Sequence, residues 1–253
     1  MTLVAVLADP PRPGLVLNSV VDDGPLDARE AADLYEASVL DTLAAAANSG
    51  AKTLVNYRGD DTLPDEYVTD TPAEAEVRAR DSGVLDFDAD DVRFEVQVGS
   101  TFDGRVGNTV THLLRNDPDV SSVLATDAVA PLLGRKDVDS TSMKLRRDDV
   151  VLGPSTDGAV WGVAFGEPVD FDGAYTTPAV ETLAQRGVDA GHDVGFAPTY
   201  PRIDTVPGLR ATVAQIRARQ HADRALPQRT ARVVEDLGLD VRDRGDGAEL
   251  VRE

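Results

Sequence analysis

Two aspartates stand where strand-like runs give way to turns. Asp127 follows the apolar stretch 120–125 and Thr126. Asp157 sits in Gly153-Pro154-Ser155-Thr156-Asp157-Gly158, between the apolar runs 150–152 and 160–165. Two carboxylates at neighbouring strand ends, away from any lysine, suit a hard divalent cation such as Mg²⁺ or Mn²⁺. Such a cation neutralises the charge of a diphosphate leaving group. Gly158, beside Asp157, lets backbone and ligand approach closely. Read alone, residues 150–165 also describe a plain β-hairpin with a polar tip. In so acidic a chain, aspartates also fall at strand ends by chance.

A second candidate is Phe102-Asp103-Gly104-Arg105-Val106-Gly107-Asn108. Its glycines lie near a predicted helix start, where backbone N–H groups cradle phosphate. Asp103 reads equally well as a simple N-cap. No Gly-Lys-Ser/Thr follows, so this is not a P-loop. His112, His192 and His221 are scattered, with no His-Glu-x-x-His spacing, which argues against zinc. No Gly-x-Ser-x-Gly elbow is present. Arg210, Arg217, Arg219 and Arg224 read as a solvated helix face.

The elements that must position these residues alternate. Residues 2–7 read as a buried first strand. Asp27, with Glu30 three residues on, marks a capping box opening a helix that runs to about residue 47. Residues 53–57 and 94–98 read as strands, with a short helix near 72–82 between them. A helix over 102–116 leads to the strand 120–125. Residues 137–147 form a polar connection with a short helix, and the strand pair around Asp157 follows. Pro178 introduces a helix over 179–187. Residues 194–198 form a short strand, and 207–222 and 228–237 form two helices. A small hairpin with a Gly-Asp-Gly turn closes the chain. This order implies an α/β domain with a mostly parallel sheet, whose chemistry sits at the carboxyl ends of its strands.

Composition bounds the rest. The 253 residues include 45 acidic and 25 basic ones, for a formal net charge of −20. Only Lys52, Lys136 and Lys144 are lysines; the other basic residues are arginines. With 42% hydrophobic residues and regular apolar runs, the chain is a folded protein rather than a disordered acidic one. A halophilic setting fits, because molar salt shortens the Debye length to roughly 3 Å and screens the repulsion. Nucleic acid and anionic membranes are poor partners for such a surface. The absence of cysteine excludes disulfides and thiolate chemistry. No apolar window reaches the roughly 20 residues of a membrane span, and the start of the chain lacks signal-peptide features. A soluble, cytoplasmic protein is expected.

Taken in order, several segments resemble a known family. They are Pro11-Arg12-Pro13-Gly14, Ala31-Ala32-Asp33-Leu34-Tyr35, Leu40-Asp41-Thr42-Leu43, Phe102-Asp103-Gly104-Arg105, Thr126-Asp127, residues 151–158, Thr176-Thr177-Pro178 and Ile203-Asp204-Thr205. Together, over roughly residues 3–215, they are similar to the glycosyltransferase-like "transferase 1" family, of which this chain looks like a divergent, haloarchaeal-type member. That family is akin to the molybdenum-cofactor and 2-phospho-L-lactate guanylyltransferases.

The resemblance implies a GT-A, nucleotide-diphospho-sugar transferase-like α/β/α fold over 1–226, with 227–253 as a C-terminal helix-and-hairpin extension. It implies a transferase that uses a nucleotide sugar or NTP, with Mg²⁺ or Mn²⁺ and an acceptor of unspecified chemistry. Asp127 and Asp157 would be the catalytic and metal-holding residues. Arg12, Gly14, Asp103, Arg105, Thr126 and Gly158 would line the nucleotide, with Arg105 meeting phosphate. The family's basic Lys-Thr-Arg-Leu loop is replaced by Leu17-Asn18-Ser19-Val20, so two positive charges are gone. Each charge-assisted hydrogen bond contributes about 1.5–3 kcal/mol. That loss keeps a second reading open: a catalytically reduced nucleotide-binding or regulatory protein on the same fold. A cofactor guanylyltransferase would carry a basic Gly-rich loop after the first strand, where residues 8–14 supply only Arg12.

Overall fold

The computed structural model describes residues 1–81, 83–86, 91–245 and 247–252. Seven strands form one sheet: β1 (Thr2–Ala8), β2 (Lys52–Tyr57), β3 (Val92–Val96), β4 (Ser122–Thr126), β5 (Val150–Pro154), β6 (Val160–Phe165) and β7 (Val194–Phe196). Their order is β3-β2-β1-β4-β6-β5-β7. All neighbours run parallel except β6, which lies antiparallel between β4 and β5. Strands β1, β4 and β6 are buried along nearly their whole length, which is why they read as unbroken apolar runs rather than alternating ones.

The helices are α1 (Asn18–Asp23), α2 (Ala28–Ala47), α3 (Ala73–Asp81), α4 (Phe102–Asn116), α5 (Arg135–Lys144), α6 (Ala179–Asp189), α7 (Val206–His221) and α8 (Gln228–Asp236). Side-chain alternation along the strands feeds two cores. Val4, Val6 and Ala8 of β1 pack on the side of α2, α5, α7 and α8, whereas Leu3, Ala5 and Leu7 pack on the side of α4 and α6. The architecture is the three-layer α/β/α sandwich with a mixed, mostly parallel sheet. No helix among the described residues is long and apolar enough to cross a membrane.

Local signals translated well into local structure. Asp27 caps α2, accepting from the Arg29 and Glu30 amides, while the Glu30 carboxylate accepts from the Asp27 amide at 3.0 Å. Other boundaries moved. Strand β3 begins at Val92 because its parallel pairing with β2 sets Thr53 opposite Val92 and Tyr57 opposite Val96. That leaves Gln97 just past the sheet's end, its amide donating to the Tyr57 carbonyl. Helix α1 was not anticipated: six residues have little intrinsic helicity, and it forms because Val20 is fully buried against the core. The Gly-Asp-Gly turn expected between β8 (Leu239–Asp243) and β9 (Ala248–Arg252) has its middle residue, Asp246, outside the described residues. The C-terminal segment packs on the main core: Val234, Leu239 and Leu250 join the apolar cluster that contains β1 and α2.

Candidate functional site

A cleft of about 200 Å³ opens at the carboxyl ends of β1 and β4, beside the first turns of α4. Asp9, Gln97, Arg105, Asp127, Arg202 and Asp204 carry its polar chemistry. Asp127 is delivered by the turn after β4. There the Thr126 hydroxyl donates to the Trp161 carbonyl on β6 at 2.6 Å and accepts from the Ala128 amide. Ala128 adopts φ 59°, and Leu17, across the cleft, φ 53°. A non-glycine residue in the left-handed region costs on the order of 1–3 kcal/mol and persists where packing enforces it. The Ser38 hydroxyl, which donates to the Ala128 carbonyl, is part of that enforcement.

Three side chains around the cleft keep a buried polar atom without a hydrogen-bond partner among the described residues: Arg105 through Nε, Gln97 through Oε1 and Asp127 through Oδ1. Arg105, in the second turn of α4, is only 8% exposed and has no ion pair among the described residues. Burial pushes its pKa down, against the pull of the Asp9 carboxylate. Gln97 donates to the Asn56 and Ala8 carbonyls at 2.7 and 3.4 Å, which fixes its amide and leaves Oε1 as a free acceptor. An unmet buried polar group costs about 1–3 kcal/mol. Three residues with such groups lining one cavity mark it as a candidate ligand or water site.

Asp127 and Asp204 share one partner. Arg202 Nη2 lies 2.9 Å from Asp127 Oδ2 and 2.5 Å from Asp204 Oδ2, and Nη1 donates to the Val160 carbonyl. Burial raises the Asp127 pKa; Arg202 and the Val129 amide counter this, and Asp204 adds to it. Burial alone would disfavour the Arg202 cation, but the two carboxylates outweigh it and hold Arg202 charged. Asp9 is raised by burial, with Arg58 at 3.5 Å opposing.

The residues singled out from the sequence fall into two groups. Asp127 and Arg105 line the cleft, and Thr126 sits below it in a smaller cavity shared with Asp127, Tyr175 and Arg202. Asp157 does not join them. It is exposed in the β5–β6 turn, its carboxylate accepting from the Ala159 amide at 3.4 Å. Gly158, at φ +82°, pins that turn to α6, its carbonyl accepting from Val180. Arg12 is 5% exposed and fully engaged elsewhere: it donates to Glu76 at 3.0 Å and to the Tyr67 and Thr71 carbonyls, with Asp60 at 3.4 Å. Gly14 packs beside the Tyr67 ring. Asp103 lies in the first turn of α4, but the N-cap is Thr101, whose hydroxyl accepts from the Gly104 amide.

The second carboxylate near Asp127 is therefore Asp204, and the two already face Arg202. No three His, Asp or Glu side chains among the described residues are grouped to hold a metal ion. The donor set as it stands does not fit a resident Mg²⁺ or Mn²⁺. Gln97, Asp9, Arg202 and Asp204 were missed as site residues. Asp9 and Gln97 obey the strand-end rule that found Asp127, and Asp204 lies within Ile203-Asp204-Thr205, one of the segments that carry the family resemblance. Arg202 carried no local signal.

No protein-family model and no curated protein matches the chain in sequence. Among solved structures, a protein of Desulfovibrio desulfuricans assigned as a nucleotide-diphospho-sugar transferase aligns over 93% of this chain and 94% of its own. The TM-score is 0.71 at 18% identity. The fold is that of nucleotide-diphospho-sugar transferases. More distant likenesses include 4-diphosphocytidyl-2C-methyl-D-erythritol synthase of Anaerococcus prevotii, at TM-score 0.44 and 13% identity over 78% of this chain and 87% of that one. Another is CMP:2-keto-3-deoxy-manno-octonic acid synthetase in complex with CTP, at TM-score 0.45 and 11% identity over 88% and 99%.

Proposed function

We propose that the cleft binds a nucleoside triphosphate or nucleotide sugar, and that the protein is a transferase acting on its phosphate or sugar. The observation that carries this reading is that three residues lining one cavity of this fold, Arg105, Gln97 and Asp127, each keep a buried polar atom without a partner among the described residues. Arg105 meets a phosphate oxygen, assisted by the positive end of α4. Gln97 Oε1 accepts from a base amino group or ribose hydroxyl. Asp127 Oδ1 accepts from a second hydroxyl. Transfer at a phosphate or sugar centre asks little covalent chemistry of a protein; positioning and charge stabilisation supply most of it. The acceptor enters over the β5–β6 turn, past Asp157 and Gly158. Mg²⁺ or Mn²⁺ has no place in this reading while Arg202 holds Asp127 and Asp204.

The test is calorimetric titration at molar KCl with the four NTPs and a panel of nucleotide sugars. One of them should bind, and Arg105→Ala should weaken it about ten- to a hundredfold, the equivalent of about 1.5–3 kcal/mol. No binding by any of them sinks the reading. A second reading, binding without turnover, is favoured by Leu17 and the acidic α1 standing where a basic loop would face phosphate. Release of pyrophosphate or nucleoside diphosphate in a single-turnover assay separates the two.

A further inference from the structure

We infer that Arg202 is a resident cation: its guanidinium takes the place of a divalent ion between Asp127 and Asp204, so the cleft binds its ligand without added metal. The ligand half of this statement rests on the nucleotide reading above; the cation half does not.

One nitrogen, Nη2, bridges the two carboxylates, at 2.9 and 2.5 Å. An ion holding the same two oxygens at about 2.1 Å, as Mg²⁺ does, would occupy the volume that Nη2 fills. Arg202 is no swinging surface arginine. Its side chain is 14% exposed, Nε lies 3.2 Å from Asp204 Oδ1, and Nη1 is tied to the Val160 carbonyl of β6. Its backbone is clamped from both sides. The next amide, Ile203, donates to the Val129 carbonyl at 2.8 Å. The first turn of α7 presses so close that a Cβ on Gly208 would lie 1.9 Å from the Arg202 carbonyl oxygen.

Charge arithmetic agrees with this assignment. Asp127 and Asp204 bring two negative charges; Arg202 and Arg105 bring two positive ones, while Asp9 is answered by Arg58. A divalent ion added to this set would meet two cations and no unclaimed pair of carboxylates. Guanidinium groups also suit this duty, since their planar fork matches carboxylate and phosphate oxygens and stays charged when buried.

The experiment uses Mn²⁺ alone as the probe, followed by the paramagnetic signal of the free ion at molar KCl. Wild-type protein should bind no Mn²⁺ tighter than millimolar. Arg202→Ala, with both carboxylates released, should gain one site per chain, and Asp204→Asn in that background should lose it. Arg202→Gln, which keeps a donor for Val160, serves if the alanine variant fails to fold by circular dichroism. One tight Mn²⁺ per wild-type chain, abolished by Asp127→Asn, overturns the inference. So does an Arg202 variant that folds and still binds none. With a nucleotide found by titration, affinity should be equal in EDTA and in Mn²⁺ within about twofold. If no nucleotide binds, the nucleotide reading fails, and the Mn²⁺ result still decides the role of Arg202.

Discussion

Asp81 closes α3 with its carboxylate buried at the helix end where peptide dipoles already gather negative charge. Its Oδ2 has no hydrogen-bond partner among the described residues. Burial pushes its pKa up to about 7, with Arg80 opposing only in part. A carboxyl whose folded pKa lies above its unfolded value holds its proton more tightly in the native state. Stability from this group is therefore complete below pH 4 and is lost as pH rises toward 7. Asp81→Asn removes that penalty. Its melting temperature should equal the wild type's near pH 4 and exceed it at pH 8, with roughly 4 kcal/mol as the ceiling for the gap. Melts of both proteins from pH 4 to 8 isolate this residue from Asp9 and Asp127, whose raised values are common to both curves. A gap that does not widen with pH removes the argument.

At the scale of elements, α8 begins on a carboxylate borrowed from α2. Asp41, only 8% exposed, accepts from the Thr230 amide at 2.8 Å and the Arg229 amide at 3.2 Å. Pro227 precedes the helix and offers no side-chain cap of its own. Replacing a capping side chain with alanine costs about 0.5–2 kcal/mol. Asp41→Ala should therefore speed hydrogen exchange of the α8 amides several-fold while leaving those of β1 and β4 unchanged. Uniform acceleration would mean that Asp41 supports the whole fold rather than this one helix. The cap also marks what a linear reading can reach. The α2 capping box, the start of α4 at Phe102 and the turn at Asp157-Gly158 were legible because their causes lie within four residues, whereas Gly153-Pro154, a turn signal in sequence, lies inside β5. Asp41 enters the sequence reading only within Leu40-Asp41-Thr42-Leu43, with no capping role, since its partners are almost 190 positions away. The site divides in the same way. Both Asp127 and Asp157 were visible as strand ends. Strand β6 inserts antiparallel between β4 and β5 and leaves Asp157 out on the hairpin turn. The neighbouring carboxylate instead comes from Asp204 at the start of α7, and that choice is set by strand order rather than by any local pattern.

Across the whole molecule, 45 acidic residues face 25 basic ones, and among the described residues only Asp41 and Asp81 of the acidic side chains are buried. Two salt effects compete. Salt weakens ion pairs such as Arg78–Glu74 and Arg135–Asp139, but exposed pairs of this kind contribute about 0–1 kcal/mol each. Salt also screens the mutual repulsion of twenty uncompensated negative charges, which the folded state concentrates and the unfolded chain dilutes. The second effect wins because the charges outnumber their partners and repel at every spacing within a Debye length. That length falls from about 10 Å at 0.1 M to about 3 Å at 1 M. The melting temperature should rise steeply with KCl up to about 1 M and flatten beyond it. Potassium sulfate at equal ionic strength should give the same early rise, followed by a further linear increase from exclusion of sulfate from the surface. Lowering the pH from 7 toward 5 at 0.1 M KCl should act in the same direction as salt, since each carboxylate that gains a proton removes one repelling charge. A melting temperature that falls between 0.1 and 1 M KCl would mean that ion pairs, and not net charge, dominate the electrostatics of this fold.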